Sequence, residues 1–154
     1  MEKLFLLAEY VFDPVPVTAA SLILAATLLF YGRRKEALVT TITVAGTLLV
    51  TSALKLWLAL PRPPDALISK DGGSLPSGHV ALISALVLSL LYVYWSSWGK
   101  AARGAAAALT AALIGFVAWS RLALHLHYLT DVAAAFLLAF LFFFLAVCFA
   151  KRRL

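Results

Sequence analysis

The stretch Ser120-Arg121-Leu122-Ala123-Leu124-His125-Leu126-His127-Tyr128-Leu129-Thr130-Asp131 separates two long apolar runs of this chain. Charged and titratable side chains at such a boundary are costly unless each has a partner or a task. If the backbone is helical near His127, Asp131 follows four residues later, about 40° from eclipsed, so the two side chains share a face. The carboxylate can then hold the proton on one imidazole nitrogen and leave the other nitrogen free to attack an electrophile.

The composition is that of an integral membrane protein. The chain has 154 residues, of which 64% are hydrophobic and 13% charged, and its mean hydropathy is +0.98. Soluble domains carry about 25% charged residues. The formal charge of +6 does not indicate a nucleic-acid partner, because the basic residues lie between apolar runs and form no continuous face.

The hydrophobic runs predict an all-α, polytopic transmembrane bundle that forms a single domain over residues 1–154. Residues 1–12 carry charges and are short for crossing about 30 Å of hydrocarbon, so they favour an interfacial helix, with a sixth span as the alternative. About five spans follow: Val15–Tyr31, Ala37–Leu60, Gly78–Trp95, Ala101–Trp119 and Tyr128–Ala150.

Three smaller expectations come from the same reading. The N-terminus lacks a basic region and a cleavage site, so no removable signal peptide is expected. The single cysteine, Cys148, lies in the last apolar run and is expected to be a buried small hydrophobe. The absence of Asn and Gln favours a thermophilic source.

The distribution of Lys and Arg predicts the orientation in the membrane. Eight of these residues fall on one side of the predicted spans and five on the other, and the richer side is expected to be cytoplasmic. The C-terminus is then cytoplasmic. The loop 61–76 and the segment 120–131 are then both on the outer (periplasmic or exterior) side.

Two further motifs fall on that outer side, within residues 55–63 and 76–79. Lys55 and Arg62-Pro63 place two cations near the same end of the predicted bundle. Taken alone, Lys55 could snorkel to the interface, and Arg62 could be an ordinary loop cation. Pro76-Ser77-Gly78-His79 opens a span. There Ser77 could act simply as an N-cap, or the free amides of the helix N-terminus could bind an oxyanion beside His79.

The third motif is the opening stretch itself. Arg121 offers a planar guanidinium suited to phosphate oxygens. A lone His127–Asp131 pair could also be a purely structural hydrogen bond. His125 lies 200° round a helix from His127 at about 100° per residue, so it is expected at the lipid headgroups rather than in catalysis.

Taken together and in this order, the three motifs resemble the type 2 phosphatidic acid phosphatase (PAP2) superfamily, and in particular its minimal prokaryotic membrane members. The matching positions are Lys55, Arg62, Pro63, Pro76, Ser77, Gly78, His79, Ser120, Arg121, His127 and Asp131. Members commonly have six spans with the first motif after the third. The short N-terminus of this chain is therefore expected to form the first element only in part.

The resemblance implies a role for each matched residue. His127 is the nucleophile that forms a phosphohistidine, Asp131 orients it, and His79 is first the general acid and then the base that activates water. The phosphoryl oxygens are bound by Lys55, Arg62, Ser77, Gly78, Ser120 and Arg121. No metal and no cofactor are implied, because the cations take over charge neutralisation.

The implied function is a lipid phosphatase whose partners are the bilayer and a membrane lipid, with the oligomeric state undetermined. The candidate substrates are undecaprenyl pyrophosphate, lipid A 1-phosphate, phosphatidylglycerol phosphate and phosphatidic acid. Two alternatives stay open: a lipid phosphotransferase that uses the same phosphohistidine, and a non-enzymatic anion-binding membrane protein or transporter. The related soluble vanadate-binding haloperoxidases are disfavoured by the five apolar runs.

Overall fold

The computed structural model describes residues 2–153, so Met1 of the predicted interfacial helix and Leu154 lie outside the described residues. The side chains of Lys3 and Arg153, which enter the charge count above, also lie outside them. All of the regular structure in the described range is helical. The helices are α1 (Glu2–Val11), α2 (Pro14–Phe30), α3 (Arg34–Leu58), α4 (Gly78–Trp95), α5 (Lys100–Ala123) and α6 (Leu129–Arg153).

Helix α4 lies at the centre of the bundle and contacts α2, α3, α5 and α6. Its first two turns are buried on every side, as expected of a helix that is apolar all round. The helices around it approach closely through small residues. In α6, Ala135, Ala139 and Ala146 are completely buried. In α3, a Cβ added at Gly46 would overlap the ring of Phe142 from α6. Close backbone approach through small residues is the usual way in which membrane helices associate.

The predicted all-α membrane bundle is confirmed, with one difference in the spans. Four helices, α3 to α6, are long and apolar enough to cross a membrane. The first predicted span, which is α2, is apolar but has only 17 residues. Exposed aromatic side chains lie at both ends of the bundle, for example Trp57 and Trp119 at one end and Tyr31 and Trp95 at the other. Such belts mark the two membrane–water interfaces.

Several predicted boundaries shift by a few residues. Helix α5 continues to Ala123, beyond the predicted end at Trp119, so Ser120 and Arg121 lie in its last turn. Helix α6 begins at Leu129, and His127 therefore lies in the turn before it rather than in a helix. The left-handed conformation of His125 (φ 53°) helps to end α5, because it breaks the helical path.

The long loop 59–77 and the turn 124–128 lie together at one end of the bundle, as predicted. The amide of Leu67 donates to the carbonyl of Leu124 at 3.1 Å, and the amide of Ser77 donates to the carbonyl of Asp131 at 3.1 Å. The basic clusters before α3 and α5 lie at the opposite end, where the Arg33 guanidinium donates to the carbonyl of Val93 at 2.6 Å. The three motifs are thus brought to one end by hydrogen bonds between segments far apart in sequence.

Candidate active site

A cavity of about 150 Å³ opens at the end of the bundle where the three motifs meet. Its charged and titratable walls come from α1, α3, the long loop, α4, α5 and the turn before α6. The residues that line it are Glu9, Asp13, Pro14, Lys55, Arg62, Lys70, Gly78, His79, Arg121, Leu126 and His127. Of the predicted site residues, Lys55, Arg62, Gly78, His79, Arg121 and His127 therefore face one space.

His127 and Asp131 form the predicted pair, although His127 lies outside the helix. The Nδ1 of His127 lies 3.3 Å from Oδ2 of Asp131, and the same oxygen accepts a hydrogen bond from the amide of Tyr128 at 3.0 Å. Both side chains of the pair are buried. Because a carboxylate can only accept, Nδ1 carries the proton. The other nitrogen, Nε2, therefore carries no proton, and His127 lines the cavity.

Arg62 fixes the position of that unprotonated nitrogen. Its Nη1 donates to the carbonyl of Leu126 at 3.0 Å and to Nε2 of His127 at 3.3 Å. Burial, with the positive charges of Arg62 and Lys55, lowers the pKa of His127 to about 3. The imidazole is therefore uncharged at neutral pH, which is the form that can act as a nucleophile.

Lys55 is held at the wall of the cavity by the long loop. Its Nζ donates to the carbonyl of Gly73 at 2.7 Å, and a Cβ on Gly73 would lie 2.7 Å from the carbonyl oxygen of Lys55. Gly78, the first residue of α4, leaves open the space beside this lysine, because a Cβ there would lie 3.8 Å from its Cε. An oxyanion can thus reach the free amides at the N-terminus of α4 and the ammonium group together.

The two predicted serines play different parts. Ser120 does not line the cavity. It supports Arg121, whose Nε donates to the Ser120 hydroxyl at 3.1 Å, while that hydroxyl donates to the carbonyl of Val117 at 2.7 Å. Ser77 stands at the N-cap of α4, but its side chain makes no capping hydrogen bond, which corrects the simple N-cap interpretation.

Three buried donors of the predicted site residues have no hydrogen-bond partner within the described part of the chain: Arg62 Nε, Ser77 Oγ and Arg121 Nη2. Arg62 and Arg121 line the cavity, and Ser77 directly precedes Gly78, which also lines it. A buried donor without an acceptor is costly. Two of the three belong to guanidinium groups, and Arg121 is completely buried. An anion with several acceptor oxygens would satisfy them, and a phosphoryl group has such oxygens.

Helix α1 contributes a residue that the sequence reasoning did not assign to the site. The Glu9 carboxylate bonds to Nη1 of Arg121 and to Nζ of Lys70 at 2.5 Å. Burial raises the pKa of Glu9, but the hydrogen bond from Lys70 and the charge of Arg121 outweigh it and lower the pKa below its usual value. The signal in the sequence was a carboxylate flanked by apolar residues in a short helix expected at a membrane surface.

His79 also contacts α1. Its Nε2 lies 3.2 Å from the carbonyl oxygen of Glu9 and 3.6 Å from the carboxylate of the same residue. His125, by contrast, lies outside the cavity, where it is half exposed and bonds to the Asp65 carboxylate. This surface pair ties the turn 124–128 to the long loop, and the predicted headgroup role of His125 stays a prediction.

One group of donors has a spacing that could hold a metal ion. Ligand atoms of Glu9, Asp13 and His79 lie within 4.8 Å of one another. The Glu9 carboxylate is already bonded to Arg121 and Lys70. Because these cations would repel a divalent ion, the local electrostatics favour an anion in this cavity.

The fold resembles that of a solved membrane protein. The "first transmembrane PAP2 type phosphatidylglycerolphosphate phosphatase from Bacillus subtilis" superposes with a TM-score of 0.86 at 22% sequence identity. The likeness covers 99% of this chain and 78% of that chain, so it includes the short helices α1 and α2. No curated protein matched the chain.

The family comparison is independent of that superposition. The family model of the PAP2 superfamily matches residues 36–154, a range that contains all three motifs and most of the chain. Such membership supports lipid phosphatase activity in general. The sequence motifs, the helical membrane fold and this match agree, and the chain belongs to the PAP2 superfamily.

Proposed function

We propose that this protein is a metal-independent lipid phosphatase that works through a phosphohistidine. The Nε2 lone pair of His127 attacks phosphorus, an N–P bond forms, and the bond from phosphorus to the leaving oxygen breaks. His79 donates a proton to that oxygen. It then takes a proton from water, the water oxygen attacks phosphorus, the N–P bond breaks, and inorganic phosphate leaves with the imidazole regenerated.

The observation that carries this proposal is the combination of a carboxylate-bound imidazole with three cations around one cavity. Asp131 holds the proton on Nδ1, so Nε2 can attack and the imidazolium that forms keeps a counter-charge. Arg62, Lys55 and Arg121 line the same space. Fixed cations in a water-poor site stabilise the charge of a transferring phosphoryl group, which is the task that a metal ion performs in other phosphoryl-transfer enzymes.

The cavity lies at the level where a lipid headgroup would meet it. Exposed Trp57 and Trp119 flank that end of the bundle, at the depth where tryptophan marks the membrane interface. A lipid phosphomonoester or pyrophosphate could keep its tails in the hydrocarbon and place its phosphate among the cations. Undecaprenyl pyrophosphate, lipid A 1-phosphate, phosphatidylglycerol phosphate and phosphatidic acid stay the candidates.

The test is phosphate release by the purified protein in detergent, with EDTA present, across those four lipids. Wild-type protein should release phosphate, and His127→Ala should lose the activity by about 10³-fold or more, because the nucleophile is gone. His125→Ala is the matched control, since it removes a histidine two positions away that bonds only at the surface. Equal release by His127→Ala, or release that EDTA abolishes, would contradict the mechanism.

The same protein samples distinguish a phosphatase from the two alternative functions. A phosphotransferase would release little phosphate in water alone and would gain turnover when an alcohol acceptor is added. An anion-binding protein or transporter would bind phosphate and form no labelled intermediate with a 32P-labelled lipid. Acid-labile label on wild-type protein, absent from His127→Ala, would support the phosphohistidine.

We further propose that the site faces the exterior or periplasm and the C-terminus faces the cytoplasm. The support is the excess of basic residues at the other end of the bundle. Asp65→Cys, at the exposed surface of the site end, should react with a membrane-impermeant thiol reagent in intact cells, in a Cys148→Ala background. Lys100→Cys should react only after permeabilisation, and the reverse pattern would invert the topology.

A further inference from the structure

Glu9 occupies the cation cluster in which the proposed function places a phosphate. One carboxylate oxygen bonds to Arg121, and the other lies 2.5 Å from Nζ of Lys70. The Glu9 side chain is 6% exposed, whereas that of Lys70 is 36% exposed. The bond to the fully buried Arg121 is therefore sheltered from water, and the bond to Lys70 lies nearer the surface. Glu9 and its helix lie outside residues 36–154, the range that the family model matches. The carboxylate therefore belongs to a part of the chain that the family model does not match, whereas its partners Arg121 and Lys70 lie inside the matched range.

Charge explains why a carboxylate stands there. Lys55, Arg62, Lys70 and Arg121 all line one cavity, and Arg121 is completely buried. A buried guanidinium without a counter-ion is strongly destabilising. Glu9 supplies that counter-ion when no substrate is bound. Its two oxygens, each bonded to a cation, reproduce two of the contacts that a phosphate dianion would make.

Glu9 and a phosphate cannot keep the same contacts at once. A phosphate bonded to Arg121 would lie within a few ångströms of the carboxylate, and like charges that close repel strongly. Helix α1 has only 10 residues. Once the Glu9–Arg121 pair breaks, the described side-chain contacts that still hold α1 and the adjoining Phe12 to α5 are aromatic, so the helix can yield. The ring centroids of Phe5 and Phe12 lie 6.4 and 6.5 Å from that of Phe116.

We propose that Glu9 is an intramolecular competitor of phosphate for Arg121 and Lys70. When the substrate binds, both cations move from the carboxylate to the phosphoryl oxygens, and Lys70 becomes a further phosphate-binding residue. When the product forms, Glu9 returns to the cations and helps to expel inorganic phosphate. This inference rests on the proposed function for its anion, but it concerns binding and can be measured without turnover.

The test is the Kd of inorganic phosphate for the purified full-length protein in detergent, measured by titration calorimetry. Glu9→Gln keeps the shape of the side chain and removes its charge. It should lower the Kd about tenfold or more, as expected if the Glu9-bound form makes up about nine-tenths or more of the unliganded protein. An unchanged or higher Kd would overturn the proposal.

A second carboxylate in the same cavity separates competition from a general field effect. Asp13 also lines the cavity. Its side chain accepts a hydrogen bond from the amide of Val15 at 2.9 Å. Within the described part of the chain, the ion pairs of Arg121 and Lys70 are with Glu9 and not with Asp13. Asp13→Asn should therefore change the Kd much less than Glu9→Gln. Equal gains in the two variants would overturn competition in favour of a field effect.

The contribution of Lys70 to phosphate binding is tested in the Glu9→Gln variant, in which the lysine has lost its carboxylate partner. In the Glu9→Gln background, Lys70→Met should raise the phosphate Kd several-fold, because the lysine then binds phosphate directly. In the wild-type background the rise should be smaller, since Glu9 already occupies that lysine. Equal effects in both backgrounds would contradict the shared use of Lys70.

A conservative variant covers the case in which Glu9→Gln does not fold. If Glu9→Gln does not yield folded protein, Glu9→Asp keeps the charge but shortens the side chain by one methylene, which weakens both bonds. Its Kd for phosphate should then fall several-fold below that of wild type, and no fall would overturn the proposal. If the wild-type protein hydrolyses no lipid phosphate but Glu9→Gln still binds phosphate more tightly, the proposed function fails and the competition stands.

Discussion

The Nδ1 of His127 lies 3.3 Å from Oδ2 of Asp131, although His127 precedes the helix that carries Asp131 by two residues. The shared face expected from the sequence depended on a helical backbone near His127, which the structure does not have. In the structure the amide of Tyr128 bonds to the same carboxylate oxygen at 3.0 Å, so Asp131 caps the first turn of its own helix while it holds the imidazole. One carboxylate thus fixes both the helix start and the tautomer of the proposed nucleophile.

Asp131→Asn should test that double role. The amide oxygen can keep the hydrogen bonds from Tyr128 and His127 but lacks the charge that stabilises the imidazole when it bonds to phosphorus. We expect kcat to fall between about 10²- and 10⁴-fold, the upper value being that of the corresponding change in a Ser-His-Asp triad. Steady-state kinetics on the preferred lipid measure it. A loss confined to KM would show that Asp131 acts in binding instead.

The protonation state of His127 gives a prediction about pH. Burial and the charges of Arg62 and Lys55 lower the pKa of its imidazole to about 3. The neutral form is favoured above the pKa, so protonation of His127 should cause no loss of kcat/KM as the pH falls from 7 to about 5. Histidine-labelled protein followed by 15N NMR would measure this directly, with His127→Ala assigning the signal. A midpoint near 6.5 would contradict it.

Arg62→Met is the companion variant for that titration. Arg62 is the largest charge contribution to the lowered pKa of His127. Its removal should raise the pKa toward the ordinary value and bring an acid limb into the pH profile of kcat/KM, on top of a weaker substrate affinity. A pKa that does not move would assign the effect to burial alone.

Ser77→Ala should separate stability from activity. The Ser77 hydroxyl is buried and without a hydrogen-bond partner in the region the structure describes. Removing it should leave the unfolding temperature in detergent unchanged or raise it, because an unsatisfied polar group is lost. If the hydroxyl donates to a phosphoryl oxygen, kcat/KM should fall about 10- to 100-fold, the worth of a hydrogen bond to a charged group. A fall in both quantities would indicate a structural role.

Gly78→Ala should narrow the phosphate site without unfolding the protein. A Cβ at Gly78 would lie 3.4 Å from Cγ of Pro14 and 3.8 Å from Cε of Lys55, which is ordinary contact distance but fills the path to the α4 amides. We expect kcat/KM to fall about tenfold with the unfolding temperature kept. Gly115→Ala is the control, because nothing lies within 4 Å of a Cβ there. Equal kinetics in the two variants would contradict the approach of phosphate to this helix end.

The apolar runs alone determined the class of the protein. A run of about 20 apolar residues can satisfy its backbone in lipid only as a helix, which is why the all-α membrane bundle and its spans could be predicted. The ends of the helices could not be placed to the residue. Helix α5 passes the predicted Trp119 and carries Arg121 inward, because the hydrogen bond from Arg121 to Ser120 and the pairing with Glu9 stabilise the extra turn.

The motifs likewise identified most of the residues that line the cavity. Residues at element ends on one side of a membrane must lie near one plane, so Lys55, His79 and His127 could be assigned to a common site from the sequence. The contacts of Glu9 and Lys70 could not. Neither lies at a recognisable spacing from Arg121. Glu9 meets Arg121 only because α1 packs against α5, and Lys70 meets Glu9 from the long loop. Hydrophobic pattern sets which segments cross the membrane, whereas tertiary packing alone decides which side chain neutralises a buried charge.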